Sequence, residues 1–159
     1  MRLTVIAVGR LKAGAERELA ARYVDRVNAA GARIGLSVAI REIPESKAAR
    51  PADRSRDEAL AIAAALPDGV PVIALAETGD ALTSEAFARK LGRWRDDGEA
   101  EIVFVIGGAD GLDDLVLGHS RLRLAFGAMT WPHQLVRAML AEQLYRAVTI
   151  LSGHPYHRA

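Results

Sequence analysis

The chain has 159 residues, half of them hydrophobic, with 21 Lys and Arg against 20 Asp and Glu and no cysteine. That length suits a single domain, residues 1–159, built on one sizeable core, and the apolar content argues against a disordered chain. Lack of cysteine excludes disulfides, thiolate nucleophiles and cysteine-based zinc sites, and fits a reducing cytoplasmic compartment.

Charge is unevenly spread over this near-neutral chain. Residues 119–159 carry Arg121, Arg123, Arg137, Arg146 and Arg158 against Glu142 alone, a balance of +4 that leaves −3 for residues 1–118. All four histidines also lie in that last part. A basic segment fits either a phosphate-bearing partner or a solvated face.

In chain order, "RLTVIAV" (2–8) reads as a first strand; with Arg2 and Arg10 at its ends it is too short and wrongly flanked for a signal peptide or membrane span. A helical pattern follows over 15–31, with Leu19, Tyr23, Val24 and Val27 on its apolar side and Gly31 as the expected stop. "SVAIREI" (37–43) is the second strand. The charged stretch 44–58, bracketed by Pro44 and Pro51, reads as the mobile segment, and a helical pattern over 52–69 ends in Pro67 and Gly69. "VPVIALA" (70–76), "EIVFVIG" (101–107) and "RLRLAF" (121–126) complete five strands, several continuous enough for burial on both faces. Helices are expected over 84–98, after a Thr83-Ser84 start, and over 132–153, opened by Pro132 and closed by Gly153.

Alternation of strands and helices predicts an α/β domain with a mostly parallel sheet, helices on both faces and right-handed crossovers. Ligands of such sheets bind beyond the C-terminal strand ends, which directs attention to loops 77–80, 107–112 and 127–133. In "FVIGGADGL", Gly107 and Gly108 follow a buried strand, where absent Cβ atoms admit a ligand to the backbone or simply permit a turn. The spacing matches neither a dinucleotide fingerprint nor a P-loop. "FGAMTWPHQLVR" offers small and apolar residues that suit an uncharged flat ring, or else cap the core through Met129 and Trp131. His133 and Arg137 share one helix face as a plausible anion contact, while Glu142 and Arg146 form a second pair four apart. The terminal "HPYHR" reads as a metal site, a loose tail, or a segment that folds over a neighbouring site with donors and a base. No carboxylate lies within the last dozen residues and Pro155 breaks helical spacing, so no metal is expected.

Taken together, "FVIGGADGL", "MTWPHQLVRAMLAEQLYRA" and "HPYHR" resemble the SPOUT-class RNA methyltransferases, in particular the small family that methylates N3 of a pseudouridine in 23S ribosomal RNA. The resemblance runs from "RLTVIAVGR" to "HPYHR". It implies a SPOUT-type fold with a C-terminal trefoil knot, a homodimer, and S-adenosyl-L-methionine as cofactor, bound by Leu75, by Gly107 and Gly108, and by Phe126, Gly127, Ala128, Met129, Thr130 and Trp131. It also implies that Tyr156, His157 and Arg158 are catalytic, with His157 the preferred base or proton relay. The substrate would be ribosomal RNA in the large subunit or the assembled 70S ribosome rather than free RNA, met in part by Arg137 and Arg146. Ala159 stands where several relatives carry a charged residue, and "FGAMTW" is a glycine-bearing version of the third loop. The rival classes are a ribosome-assembly factor without chemistry, a metal-dependent hydrolase using the terminal histidines, and a same-class methyltransferase acting on another RNA nucleotide.

Overall fold

A computed structural model describes residues 1–156 of the chain. Five strands, β1 (Arg2–Val8), β2 (Ser37–Ile43), β3 (Val72–Ala81), β4 (Glu101–Ile106) and β5 (Leu122–Ala125), pair in parallel in the order β2-β1-β4-β3-β5. The helices are α1 (Ala15–Gly31), α2 (Pro51–Ala65), α3 (Ser84–Asp96), α4 (Asp114–His119) and α5 (His133–Leu151).

Strand side chains alternate between faces, and here both faces are apolar. Leu3, Val5 and Ala7 of β1, with Ile102, Phe104 and Ile106 of β4, join a cluster that takes in Val27 of α1, Leu91 and Trp94 of α3, and Leu140, Leu144 and Val148 of α5. Ile6, Val8, Val103 and Val105 point the other way, onto Ala59 and Ile62 of α2 and Val116 of α4. The result is an α/β sandwich of three layers, with α1, α3 and α5 on one side of the sheet and α2 and α4 on the other. Phe104, fully buried at the centre, makes the larger cluster costly to disturb; truncating such a side chain to alanine costs about 3–5 kcal/mol.

Local chemistry explains most element ends. Thr83 caps α3 by accepting a hydrogen bond from the Ala86 N–H at 3.2 Å, and Pro51 occupies the first turn of α2. α1 ends at Gly31 as expected; a 3₁₀ turn (Ala32–Ile34) follows, and the chain reverses at Gly35, whose φ of +68° favours glycine. Gly31 is also a close-approach residue, since a Cβ there would lie 2.5 Å from the Leu36 carbonyl oxygen. Two expectations change. The segment 44–58 is not a free loop. Its second half is α2, and its first half is held by the Ser46 N–H donating to Glu58 (3.0 Å) and by Arg54 donating to the carbonyls of Ala48 (3.2 Å) and Ala49 (3.0 Å). Residues 77–80 are strand rather than loop, because β3 skips register between Leu75 and Asp80 and resumes pairing with β5.

Candidate active site

The C-terminal ends of β4 and β5 and the middle of β3 open into one cavity of about 610 Å³. Leu75, Ile106, Leu124 and Ala125 form its floor, the loop after β4 gives Gly107 and Gly108, and the loop after β5 gives Phe126, Gly127, Met129, Thr130 and Trp131. These are the residues that sequence reasoning assigned to cofactor binding, with one exception: Ala128 does not contribute to the wall. Thus three segments separated by some 30 and 20 residues converge because their strands lie side by side, β3 lying between β4 and β5.

The glycines are there for closeness. A Cβ on Gly107 would sit 2.6 Å from the Gly111 carbonyl oxygen, and one on Gly108 would sit 2.9 Å from Glu58 Oε2 and 3.1 Å from Val8 Cγ1. Gly127, at φ +103°, lets the third loop leave β5, and the Trp131 indole N–H donates to the Phe126 carbonyl at 3.3 Å to close that loop. Met129 is 73% exposed and Trp131 41%. They form a rim around the cavity and do not cap the core.

Behind the second loop stands a polar layer with no counterpart in the sequence-based expectations. Arg54 on α2 donates two hydrogen bonds to Asp110, at 2.7 and 3.0 Å, a fork that fixes the loop in two directions. This hydrogen bonding pulls the Asp110 carboxyl below the usual carboxylate range. Glu58, one helical turn on, is buried against Gly108; its Oε2 has no hydrogen-bond partner among the described residues, and burial raises its pKa. The signal for Glu58 was weak, one of several charged residues at the start of an alanine-rich helical run.

The cavity also has Glu77, Thr78 and His133 in its wall. His133, at the start of α5, has its Nε2 3.9 Å from Glu45 Oε1. Desolvation and then the nearby charge of Arg137 depress its pKa, against a smaller opposing pull from Glu45, so the imidazole is neutral at pH 7.

Arg137 requires a correction. Expected to meet RNA, its side chain is fully buried, bonded to Glu42 Oε1 at 2.9 Å, to the Gly9 carbonyl at 2.8 Å and to the Val8 carbonyl. It ties the ends of β1 and β2 to α5 and presents nothing to a partner. Arg146 is part-exposed, pairs with Glu142 on the same helix, and lies over the Tyr156 ring, 5.1 Å from its centre. Tyr156 does not line the cavity. Its ring packs 4.7 Å from that of Tyr145, its hydroxyl donates to Glu142 at 3.3 Å, and its pKa is pushed up to about 12 by hydrogen bonding with Tyr23, by burial and by the Glu142 carboxylate. His157 and Arg158 lie outside the described residues. Among the described residues no group of His, Asp and Glu side chains is arranged to hold a metal, and no helix is long and apolar enough to cross a membrane.

Known proteins bear on this geometry. Residues 1–157 match the family described as "Predicted SPOUT methyltransferase". Similar proteins include the "Ribosomal RNA large subunit methyltransferase H" of Bradyrhizobium diazoefficiens, 58% identical with all of both chains covered. The proteins of the same description from Rhodopseudomonas palustris BisB18 and Bradyrhizobium sp. ORS 278 are 56% and 54% identical, over all of this chain and 100% and 99% of theirs. Matched from end to end, and with β3 and the loops after β4 and β5 gathered on one cavity, the chain belongs to the SPOUT methyltransferase family.

Proposed function

We propose that residues 1–159 form a single methyltransferase domain that uses S-adenosyl-L-methionine to methylate N3 of a pseudouridine in 23S ribosomal RNA, on the assembled ribosome in the cytoplasm. The observation that carries this reading is the convergence of Leu75, Gly107–Gly108 and Phe126–Trp131 on one cavity in a chain 58% identical to a protein described as a large-subunit rRNA methyltransferase. The cavity suits the donor on three counts. Its volume lies within the usual ligand range of about 300–1,000 Å³, its walls are mostly apolar with backbone exposed at glycines, and no Lys or Arg lines it among the described residues.

Bound S-adenosyl-L-methionine supplies an electrophilic methyl group on a good leaving group. The protein's own contribution is then position and proton handling. Backbone groups of the loops after β4 and β5 would hold the flat ring, with Leu75 beneath it. The N3 of neutral pseudouridine carries a hydrogen that must leave as the new bond forms. His157, with a reference pKa of roughly 6.5, takes that proton directly or through water; Arg158 stabilises negative charge on the uracil carbonyls, and Tyr156 stacks on or hydrogen-bonds to the base.

Arg146 serves by aligning Tyr156 at the head of this tail. The homodimer follows from the family resemblance, as does the trefoil knot. A groove between α1 and α5, lined by Leu19, Tyr23, Leu135, Ala138 and Met139, supports the dimer, because its exposed leucines leave apolar surface to cover.

The test incubates the protein with methyl-labelled S-adenosyl-L-methionine and unmethylated ribosomes, as separated subunits and as 70S particles, and locates the label by nucleoside mass spectrometry. Label on a pseudouridine of the large-subunit RNA, strongest with 70S particles, is expected. Label on another nucleotide would overturn the substrate, and absence of donor binding would overturn the enzyme and favour an assembly factor.

A further inference from the structure

Two titratable side chains line the cavity among the described residues, Glu77 on β3 and His133 on α5. Glu77 is exposed to the cavity side of the sheet edge and makes no side-chain hydrogen bond or ion pair with any other described residue. His133 is neutral at pH 7 for the reasons given above. Among the described residues the wall therefore carries one charged group, the Glu77 carboxylate, set among Leu, Ile, Ala, Phe, Met, Trp and Thr side chains and glycine backbone.

We infer that Glu77 is a specificity-determining residue that makes the cavity prefer the cationic methyl donor over its neutral demethylated product. The inference rests on the proposed function. Donor and product share a ring, a sugar and an amino-acid tail; they differ by one methyl group and one positive charge on sulfur. Apolar walls and backbone hydrogen bonds treat the two alike, since neither changes with the charge. A fixed carboxylate does not. Unpaired in the described structure, Glu77 is free to face the sulfonium charge, through an attraction that solvent at this exposed position screens in part. The same bias expels product after transfer, because the positive charge that favoured binding disappears with the methyl group.

The test is calorimetric titration of the wild-type protein and of Glu77→Gln and Glu77→Asp with S-adenosyl-L-methionine and with S-adenosyl-L-homocysteine. For Glu77→Gln the expected result is an affinity for the donor that falls roughly three- to tenfold, with affinity for the product unchanged, so that the donor-to-product preference drops by that factor. Glu77→Asp retains most of the preference, and raising the salt concentration shrinks it in the wild type. Equal weakening of both ligands would overturn the inference, because it would assign the carboxylate to the amino group they share. So would no change in either. A wild-type protein that binds neither ligand would instead overturn the reading of the cavity as a methyl-donor site, so the two failures are told apart. Thermal unfolding of the unliganded variants checks folding, which an exposed, unpaired side chain leaves intact.

Discussion

The two ends of α5 carry an arginine each and use it in opposite ways. Arg137, in the second turn, is sealed inside the protein on Glu42 and two backbone carbonyls, whereas Arg146 sits part-exposed on Glu142 and Tyr156. The residues are nine apart, about two and a half turns, so they face opposite sides of the helix. Arg137 heads the stripe continued by Ala141, Leu144 and Val148, all buried. One charge was drawn into the core because the strand ends there leave carbonyls without partners; the other stayed outside. The comparison teaches that a basic residue near a binding cavity need not serve the ligand.

Its consequences can be broken in order of size. Arg137→Ala removes the donor from two buried carbonyls and empties a fully buried site, so chemical denaturation should show a loss of about 2–5 kcal/mol. Replacement by lysine should not restore it fully, because one ammonium cannot reproduce the fork. An Arg137→Ala loss no larger than that of Arg146→Ala would end the contrast between the two sites.

Next comes Gly108→Ala, whose added methyl meets Glu58 and Val8. A loss of about 1–3 kcal/mol and weaker donor binding are expected, measured by urea unfolding and calorimetry. Combining it with Glu58→Ala should give less than the sum of the two single losses, since truncating Glu58 makes the room that Gly108 lacks; simple additivity would dissociate the polar layer from the loop.

Glu58 also supplies a pH dependence. Its pKa is raised in the folded protein, chiefly by burial, so between the ordinary carboxylate value and the raised one the folded state binds more protons than the unfolded state. Stability contributed by this group is present below the ordinary value and is lost as pH rises through the folded one. Glu58→Gln should therefore gain stability relative to wild type at pH 8 that it does not gain at pH 4. A gap between the two proteins that is constant with pH would count against the assignment.

The smallest effect belongs to Arg146→Ala. A part-exposed pair at (i, i+4) is worth about 0–1 kcal/mol, and the change should instead appear as slower methyl transfer at unchanged donor affinity, in a single-turnover assay on 70S particles. Loss of stability comparable to Arg137→Ala would show that Arg146 holds the fold and not the tail.

How legible was this in the sequence? The continuous apolar runs of β1 and β4 announced strands buried on both faces, and Thr83 and Pro51 marked helix starts. A six-residue helix such as α4 was missed because it completes too few turns for a period to show, although Asp113, which accepts from the Leu115 N–H at 2.8 Å, is the cap that marks it. The continuation of β3 through residues 77–80 was hidden for another reason: Thr, Gly and Asp are turn formers, and only pairing with β5 holds them extended.

By itself, the sequence determined the α/β class, the loops after β4 and β5 and the family, because hydrophobic period, turn chemistry and ordered motifs are all local along the chain. Tertiary structure decided the strand order that brings those loops together, the burial of Arg137, the polar layer of Arg54, Glu58 and Asp110, and the place of Glu77 in the cavity wall. Each of these depends on which residues distant in the chain come within a few ångströms of one another, and on whether water can still reach them.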